Sequence, residues 1–209
     1  IIIKNVSMDS NPKKLIKTKQ QKIFLEILSL GHISSNYLDW VNDPVLTKYL
    51  EIGDVKLTKN DLKNYIINSP KDGGRRNYAI MTTESKNHIG NCSIYEINTQ
   101  DNSYEIGWII GDENFSGGLY APMVIFELHK IAFLELGLER CRGRVVKENV
   151  KARITNKFIG YKETETVKYR GRKNTNKYLD IVEVELSKDD WLIRGEALSK
   201  KYPNFFQIT

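Results

Sequence analysis

The sequence predicts a mixed α/β fold in which a mostly antiparallel sheet has helices on both faces. Three strand patterns follow one another across short polar turns, and such short connections favour antiparallel neighbours. A long apolar helix then separates the third of these strands from the next one, and a helical connection favours a parallel pair. With 209 residues, 40% hydrophobic and 28% charged, the chain is expected to form one globular domain.

The first third of the chain carries a strand and then helices. Residues 22–28 alternate in the manner of a strand. Apolar residues recur at helical intervals over residues 34–50, and the Asp43-Pro44 pair divides them into two short helices, because proline suits a first helical turn. A third helix, which begins with a threonine cap, is expected at residues 58–68.

The remaining elements alternate between strands and helices. Residues rich in β-branched and aromatic side chains predict strands at 77–83, 88–97 and 103–110. A helix follows from about 119 to 136 and ends at Gly137. The last five predicted elements are a strand, a helix, two closing strands and a terminal helix, at residues 139–147, 149–159, 161–169, 177–186 and 187–202.

Positive charge is concentrated at the start of the chain. The first 22 residues hold six lysines against one aspartate, so they carry +5 of the net +6. We expect residues 1–21 to be a solvated basic arm, with nucleic-acid binding as the less favoured alternative. Residues 22–186 would then form the domain, and residues 187–209 a C-terminal helix and tail.

Cysteine and histidine usage indicates neither a disulfide scaffold nor a metal site. The two cysteines, Cys92 and Cys141, are far apart in the sequence and are expected in the core. The three histidines, His32, His88 and His129, lack metal-ligand spacing. No apolar stretch approaches the length of a membrane span. The expectation is a cytoplasmic protein with no bound metal and no membrane contact.

A glycine pair stands directly before the long apolar helix. Gly117-Gly118 follows the strand at 103–110, so free amide groups and the positive end of the helix dipole would meet there. That arrangement suits a phosphate or a pyrophosphate, although a plain structural turn explains the pair equally simply. A strand that splays from its neighbour beside this helix would also leave amide and carbonyl groups for an amide-rich ligand.

Four stretches together resemble the GNAT superfamily of acyl-CoA-dependent N-acetyltransferases. They are "LDWVNDPVLTKYL", "YEIGWIIGDENFSGGLYA", "FLELGLERCRGRVVKENVKA" and "NVKARITNKFIGYKE", the last with the signature Asn149, Ala152, Gly160 and Tyr161. The resemblance runs from about residue 22 to 168. It looks closest to the branch that includes ribosomal-protein N-terminal and sugar-nucleotide amine acetyltransferases. It implies a GNAT-like fold with splayed central strands and acetyl-CoA as co-substrate.

The resemblance also assigns cofactor-binding residues. The family's pyrophosphate loop falls on Ser116, Gly117, Gly118, Leu119, Tyr120 and Ala121, where only Ala121 conforms, since serine replaces a basic or amide residue and Leu119 replaces a glycine. The backbone of Trp108, Ile109 and Ile110 is expected to bind the pantetheine arm and polarise the thioester. Asn149 is assigned to the cofactor as well.

Two residues are expected to act in catalysis. Glu105 is the preferred general base, and a cross-strand ion pair is its alternative role. Asn156 occupies the position where many family members carry a tyrosine that returns a proton to the CoA thiolate. Asparagine can hydrogen-bond but cannot act as an acid, so Tyr120 or water could fill that role instead.

The predicted function is transfer of an acetyl group to a primary amine. The acceptor is a small molecule, with a nucleotide-linked amino sugar as one candidate, or a protein N-terminus. The departures at Ser116, Leu119 and Asn156 motivate an alternative, a catalytically weakened acyl-CoA-binding or regulatory module. A homodimer is left open.

Overall fold

A computed structural model of the protein describes residues 22–50, 55–71, 74–170 and 178–208. The basic arm predicted at residues 1–21 lies outside these ranges, as does most of the turn predicted between the last two strands. The predicted division into arm, domain and tail therefore stays a prediction. The described residues form seven strands: β1 Ile23–Ile27, β2 Arg76–Thr82, β3 His88–Asn98, β4 Ser103–Ile110, β5 Arg140–Val146, β6 Lys162–Arg170 and β7 Tyr178–Ser187. They also form five α-helices: α1 Ser35–Asn42, α2 Lys59–Asn68, α3 Tyr120–Lys130, α4 Val150–Ile159 and α5 Lys188–Lys201.

The strands build one sheet in the order β1-β2-β3-β4-β5-β7-β6. Strands β2 to β4 form the predicted antiparallel meander, and β1 pairs antiparallel with β2 at its edge. The predicted parallel pair is β4 with β5, and β5, β7 and β6 continue antiparallel. The fold class predicted from the sequence is therefore confirmed.

Helices cover both faces of the sheet, because successive side chains of each strand point to opposite faces and both faces carry apolar residues. In β2, Tyr78 and Ile80 lie in the larger core cluster with α3, α4 and α5, whereas Ala79 and Met81 lie in the smaller one. The smaller cluster also holds buried residues of α1 and α2: Tyr37, Trp40, Val41, Leu62 and Ile66. We call the two sides of the sheet the α3 face and the α1/α2 face. Each strand residue therefore has a defined side.

Helix caps fix several element boundaries. The predicted cap of α2 is present, because the Asp61 amide donates to Thr58 Oγ1 at 3.2 Å while Asp61 Oδ2 accepts from the Thr58 amide at 2.8 Å. Ser187 caps α5 by accepting from the Asp190 amide at 3.1 Å. Among the described residues, no helix combines the length and hydrophobicity that crossing a membrane would demand.

Two helix predictions were wrong in part. The second short helix, predicted after Pro44, is a series of turns. Asp43 Oδ1 accepts from the amides of Val45 at 2.7 Å and Leu46 at 3.3 Å, as a helix cap would. The backbone bonds that follow are irregular, because the Thr47 amide reaches back four residues to Asp43 whereas the Leu50 amide reaches back three to Thr47. The single helix predicted at 119–136 is α3 followed by a π-helical segment, Ile131–Glu135. Gly137 ends it in the left-handed conformation, with φ of 69°, as predicted.

Candidate functional site

Strands β4 and β5 separate near the middle of the sheet. Their ladder consists of two residue pairs, Ser103 with Arg140 and Tyr104 with Cys141, although both strands continue further. Beyond Tyr104 the edge of β4 that faces β5 has no strand beside it in the described part of the chain. A gap therefore opens inside an otherwise continuous sheet.

The pairing of β4 with β3 shows which backbone groups reach this gap. The Gly111 amide donates to the Ile89 carbonyl at 2.9 Å, so odd-numbered residues of β4, Ile109 among them, turn their amide and carbonyl groups toward β3. Even-numbered residues must then turn theirs toward the gap. Of the three residues predicted to contact pantetheine, Trp108 and Ile110 present peptide groups there, while Ile109 pairs with Asn91.

The amino end of α3 follows closely after β4. Leu119 is the residue before the first turn, and the helix has no side-chain cap. In the described part of the chain, the amides of Gly117, Gly118, Leu119 and Ala121 donate to no protein acceptor. Gly118 adopts a left-handed conformation, with φ of 62°, that suits glycine. This end of the helix is a natural anion-binding site.

The side chains of the glycine-pair loop turn away from that site or stay on the surface. The Ser116 hydroxyl donates to the Glu113 carbonyl at 2.9 Å, which closes the turn before the glycines. Leu119 packs against the core of the α3 face, and Tyr120 makes an edge contact with Phe115 at 5.1 Å between ring centroids. Gly117 has open space where a Cβ would stand. Backbone groups rather than side chains therefore dominate this loop.

Glu105 lies on the α1/α2 face, one residue beyond the last β4–β5 pair. Its Oε1 is 3.1 Å from Nη2 of Arg144 on β5, and its side chain is 18% exposed. Burial raises the pKa of this carboxyl, and the nearby Arg144 charge counteracts that rise only in part. The cross-strand ion pair named as its alternative role is thus present, at the point where the gap opens.

Helix α4 carries the two predicted asparagines. Asn149 caps the helix, with Oδ1 accepting from the Ala152 amide at 3.3 Å. Asn156 is 4% exposed, and its side-chain oxygen has no hydrogen-bond partner among the described residues. It lines a cavity of about 430 Å³ together with Tyr161 and Val184. Asn156 is therefore a buried acceptor beside an empty volume.

A buried hydrogen-bonded chain closes the apex of the gap, and the sequence did not predict it. The Tyr104 hydroxyl lies 2.7 Å from Nδ1 of His129, whose Nε2 lies 2.9 Å from the Tyr161 hydroxyl. That hydroxyl is 3.1 Å from Sγ of Cys141. Burial lowers the pKa of His129 to about 3, so its ring is neutral and holds one tyrosine as donor and the other as acceptor. The sequence feature that could have indicated this buried chain is a histidine, His129, within an apolar helix.

These groups favour binding of an extended, amide-rich anion. The described residues contain no group of three histidine, cysteine, aspartate or glutamate side chains that could hold a metal ion. Free amides line one wall of the gap, and further free amides lie at the amino end of α3. A carboxylate with a raised pKa lies at the entrance on the α1/α2 face, where it could accept a proton.

Comparisons with known proteins agree on one family. The sequence pattern of the acetyltransferase (GNAT) domain matches residues 23–162. The uncharacterized N-acetyltransferase p20 of Bacillus licheniformis is 27% identical over 126 residues, which are 58% of this chain and 70% of that protein.

Two solved structures show the same fold. Spermidine N-acetyltransferase from Vibrio cholerae, crystallised with CoA and spermine, superposes with a TM-score of 0.68 at 20% identity, covering 81% of this chain and 98% of that one. A GNAT-family acetyltransferase from Bacillus anthracis also gives 0.68, at 15% identity, covering 81% and 96%.

Proposed function

Since the chain belongs to the GNAT acetyltransferase family and is an acetyl-CoA-dependent N-acetyltransferase, we propose that its acceptor is the primary amine of a small molecule. An amino sugar attached to a nucleotide is one such molecule, and a protein N-terminus is the alternative acceptor. The Vibrio cholerae neighbour, crystallised with the small amine spermine, supports a small acceptor.

One observation carries the proposal: β4 and β5 part after Tyr104 and Cys141, and β4 leads along the chain to the uncapped amino end of α3. The pantetheine arm would lie along Trp108 and Ile110 and complete the interrupted sheet with its own amides. The diphosphate would accept hydrogen bonds from the amides of residues 117–119 and 121. Ser116 and Leu119 are compatible with this role, because the donors are backbone groups. Pro122 removes one amide from the first turn.

The acetyl transfer itself needs an oxyanion donor and a proton acceptor. A gap-facing amide of β4, aimed at the thioester oxygen, would stabilise the tetrahedral intermediate by about 3 kcal/mol. The attacking amine would give up its proton to Glu105, directly or through water, as the carbon–nitrogen bond forms. The carbon–sulfur bond then breaks, and the CoA thiolate takes a proton from Tyr120 or from water, because Asn156 can only hydrogen-bond to it.

Calorimetry with acetyl-CoA, followed by a CoA-release assay over a panel of amines, tests the proposal. Binding together with amine-dependent release supports it. Binding without release for any amine supports the catalytically weakened module. Absence of binding contradicts both.

A pair of glycine variants locates the cofactor. Gly118 and Gly137 both adopt left-handed backbone conformations, with φ of 62° and 69°, so alanine strains both by a similar amount. We expect Gly118→Ala to weaken acetyl-CoA binding about tenfold, because the strained backbone would shift and misalign one amide donor, and losing one hydrogen bond to a charged group has that effect. Gly137→Ala should not change binding. Equal affinities for the two variants would contradict placement of the diphosphate at residues 117–121.

A further inference from the structure

A polar groove lies on the α1/α2 face next to the candidate base. It has a volume of about 510 Å³ and is lined by Arg75, Tyr95, Glu96 and residues 97–100. The walls of the groove come from the amino end of β2 and the carboxyl end of β3, which lie side by side because the two strands pair antiparallel. The groove contains both an arginine and a glutamate.

In the described part of the chain, no acidic side chain lies within ion-pair distance of Arg75, although Glu96 lines the same groove. Arg140, Arg142, Arg144 and Arg153 each lie within ion-pair distance of a carboxylate. The Arg75 guanidinium instead stacks over the Tyr95 ring, 4.4 Å from its centroid. Its Nη1 makes long contacts, 3.4 Å each, to the hydroxyl groups of Tyr65 and Ser93. Such contacts are weak and leave most of its donors for a ligand.

Tyr95 connects this arginine to Glu105. The two residues are opposite each other in the β3–β4 ladder. A Cβ on Gly107 would meet Cε1 of Tyr95 at 3.3 Å and its hydroxyl at 4.0 Å, so the ring extends across β4. The nearby Tyr95 hydroxyl moderates the rise that burial causes in the pKa of the Glu105 carboxyl. One aromatic side chain therefore separates the cationic end of the groove from the candidate base.

We propose that this groove binds the acceptor and that Arg75 binds an anionic group on it, a carboxylate or a phosphate, while the amine lies at Glu105. The inference rests on the proposed function and narrows its substrate class to amines that carry an anion. An arginine fork matches the oxygens of either anion with two parallel hydrogen bonds. A polyamine would leave Arg75 without a counter-charge and would place like charges together.

The test compares amines that differ in one anionic group. Ornithine and putrescine differ by a carboxylate, and glucosamine 6-phosphate and glucosamine differ by a phosphate. Each is titrated by calorimetry into the protein alone and into the protein with saturating CoA. We expect the anionic member of at least one pair to bind more tightly, and the responding pair identifies the anion.

The variant Arg75→Gln should weaken binding of that anionic member by about 10- to 100-fold and leave binding of its partner, which lacks the anionic group, unchanged. The matched control is Arg76→Gln, which removes the same charge from the adjacent residue, exposed on the opposite face beside Tyr78. It should leave both members unchanged.

Two results would overturn the inference: neither anionic member binds more tightly than its partner, or Arg75→Gln weakens both members of a pair equally. The second result would mean that Arg75 only supports the Tyr95 ring. Because these measurements are of binding, a failure of acetyl transfer would count against the proposed function and would leave this test intact.

Discussion

The buried His129 makes the stability of the fold depend on acidity in a way that can be worked out. The folded protein keeps the imidazole neutral, with a pKa of about 3, whereas an unfolded chain binds a proton near pH 6.5. Between these values the unfolded state holds one more proton, so stability falls as the pH falls from 6.5 toward 3. The expected slope is about 1.4 kcal/mol per pH unit, or about 2.7 kcal/mol by pH 4.5.

Two variants isolate this contribution. His129→Gln removes the titrating ring, whereas Tyr104→Phe keeps the ring and removes one of its hydrogen-bond partners. Each is expected to lower the free energy of unfolding at pH 7 by about 1 to 3 kcal/mol, the range for a buried polar group without a partner. Only His129→Gln should also lose the slope between pH 6.5 and 4.5.

The assay is urea unfolding of the three proteins at pH 7, 6 and 5. Other groups titrate in the same window, since burial lowers the pKa of His88 and raises those of Glu105 and Glu127. Because these groups are present in all three proteins, the difference between slopes belongs to His129. An identical slope in the wild type and in His129→Gln would refute a buried neutral histidine at the apex of the gap.

Three further substitutions test the candidate site. Glu105→Gln should lower kcat about 100-fold in the CoA-release assay and leave acetyl-CoA binding unchanged, and a kcat within twofold of the wild type would exclude Glu105 as the base. Arg144→Gln removes a charge that lowers the pKa of Glu105, so the acidic limb of the pH profile of kcat should move to higher pH; an unmoved limb would separate Glu105 from the titration. Asn156→Leu replaces a buried oxygen that has no partner among the described residues by an apolar group of similar size, so the free energy of unfolding measured in urea should rise by about 1 kcal/mol, and a fall would show that the oxygen is satisfied.

Local patterns were enough to predict most of the secondary structure. The predicted features that the structure confirms each depend on residues close together in sequence. They are the alternation of the strands, the helix caps Thr58 and Ser187, and the helix end at Gly137. The turns after Pro44 were missed because Asp43 is a good helix cap in sequence terms, whereas the backbone beyond it mixes bonds that reach back four and three residues.

The candidate site was less accessible to prediction because it depends on distant contacts. Tyr104 and Tyr161 approach His129 from 25 and 32 residues away, and a histidine in an apolar helix does not indicate its partners. The point at which β4 and β5 part is also a property of two strands together. Glu105 could be selected as a candidate, but its partner Arg144 and the facing Tyr95 appear only once the register is known.

The central claim is that the gap between β4 and β5, together with the amino end of α3, binds the coenzyme. A crystal structure with CoA tests it most directly. The account predicts diphosphate oxygens within hydrogen-bond distance of the amides of Gly118, Leu119 and Ala121, and pantetheine amides against the backbone of Trp108 and Ile110. CoA bound elsewhere, or a β4 edge closed by the protein itself while CoA is bound, would contradict it.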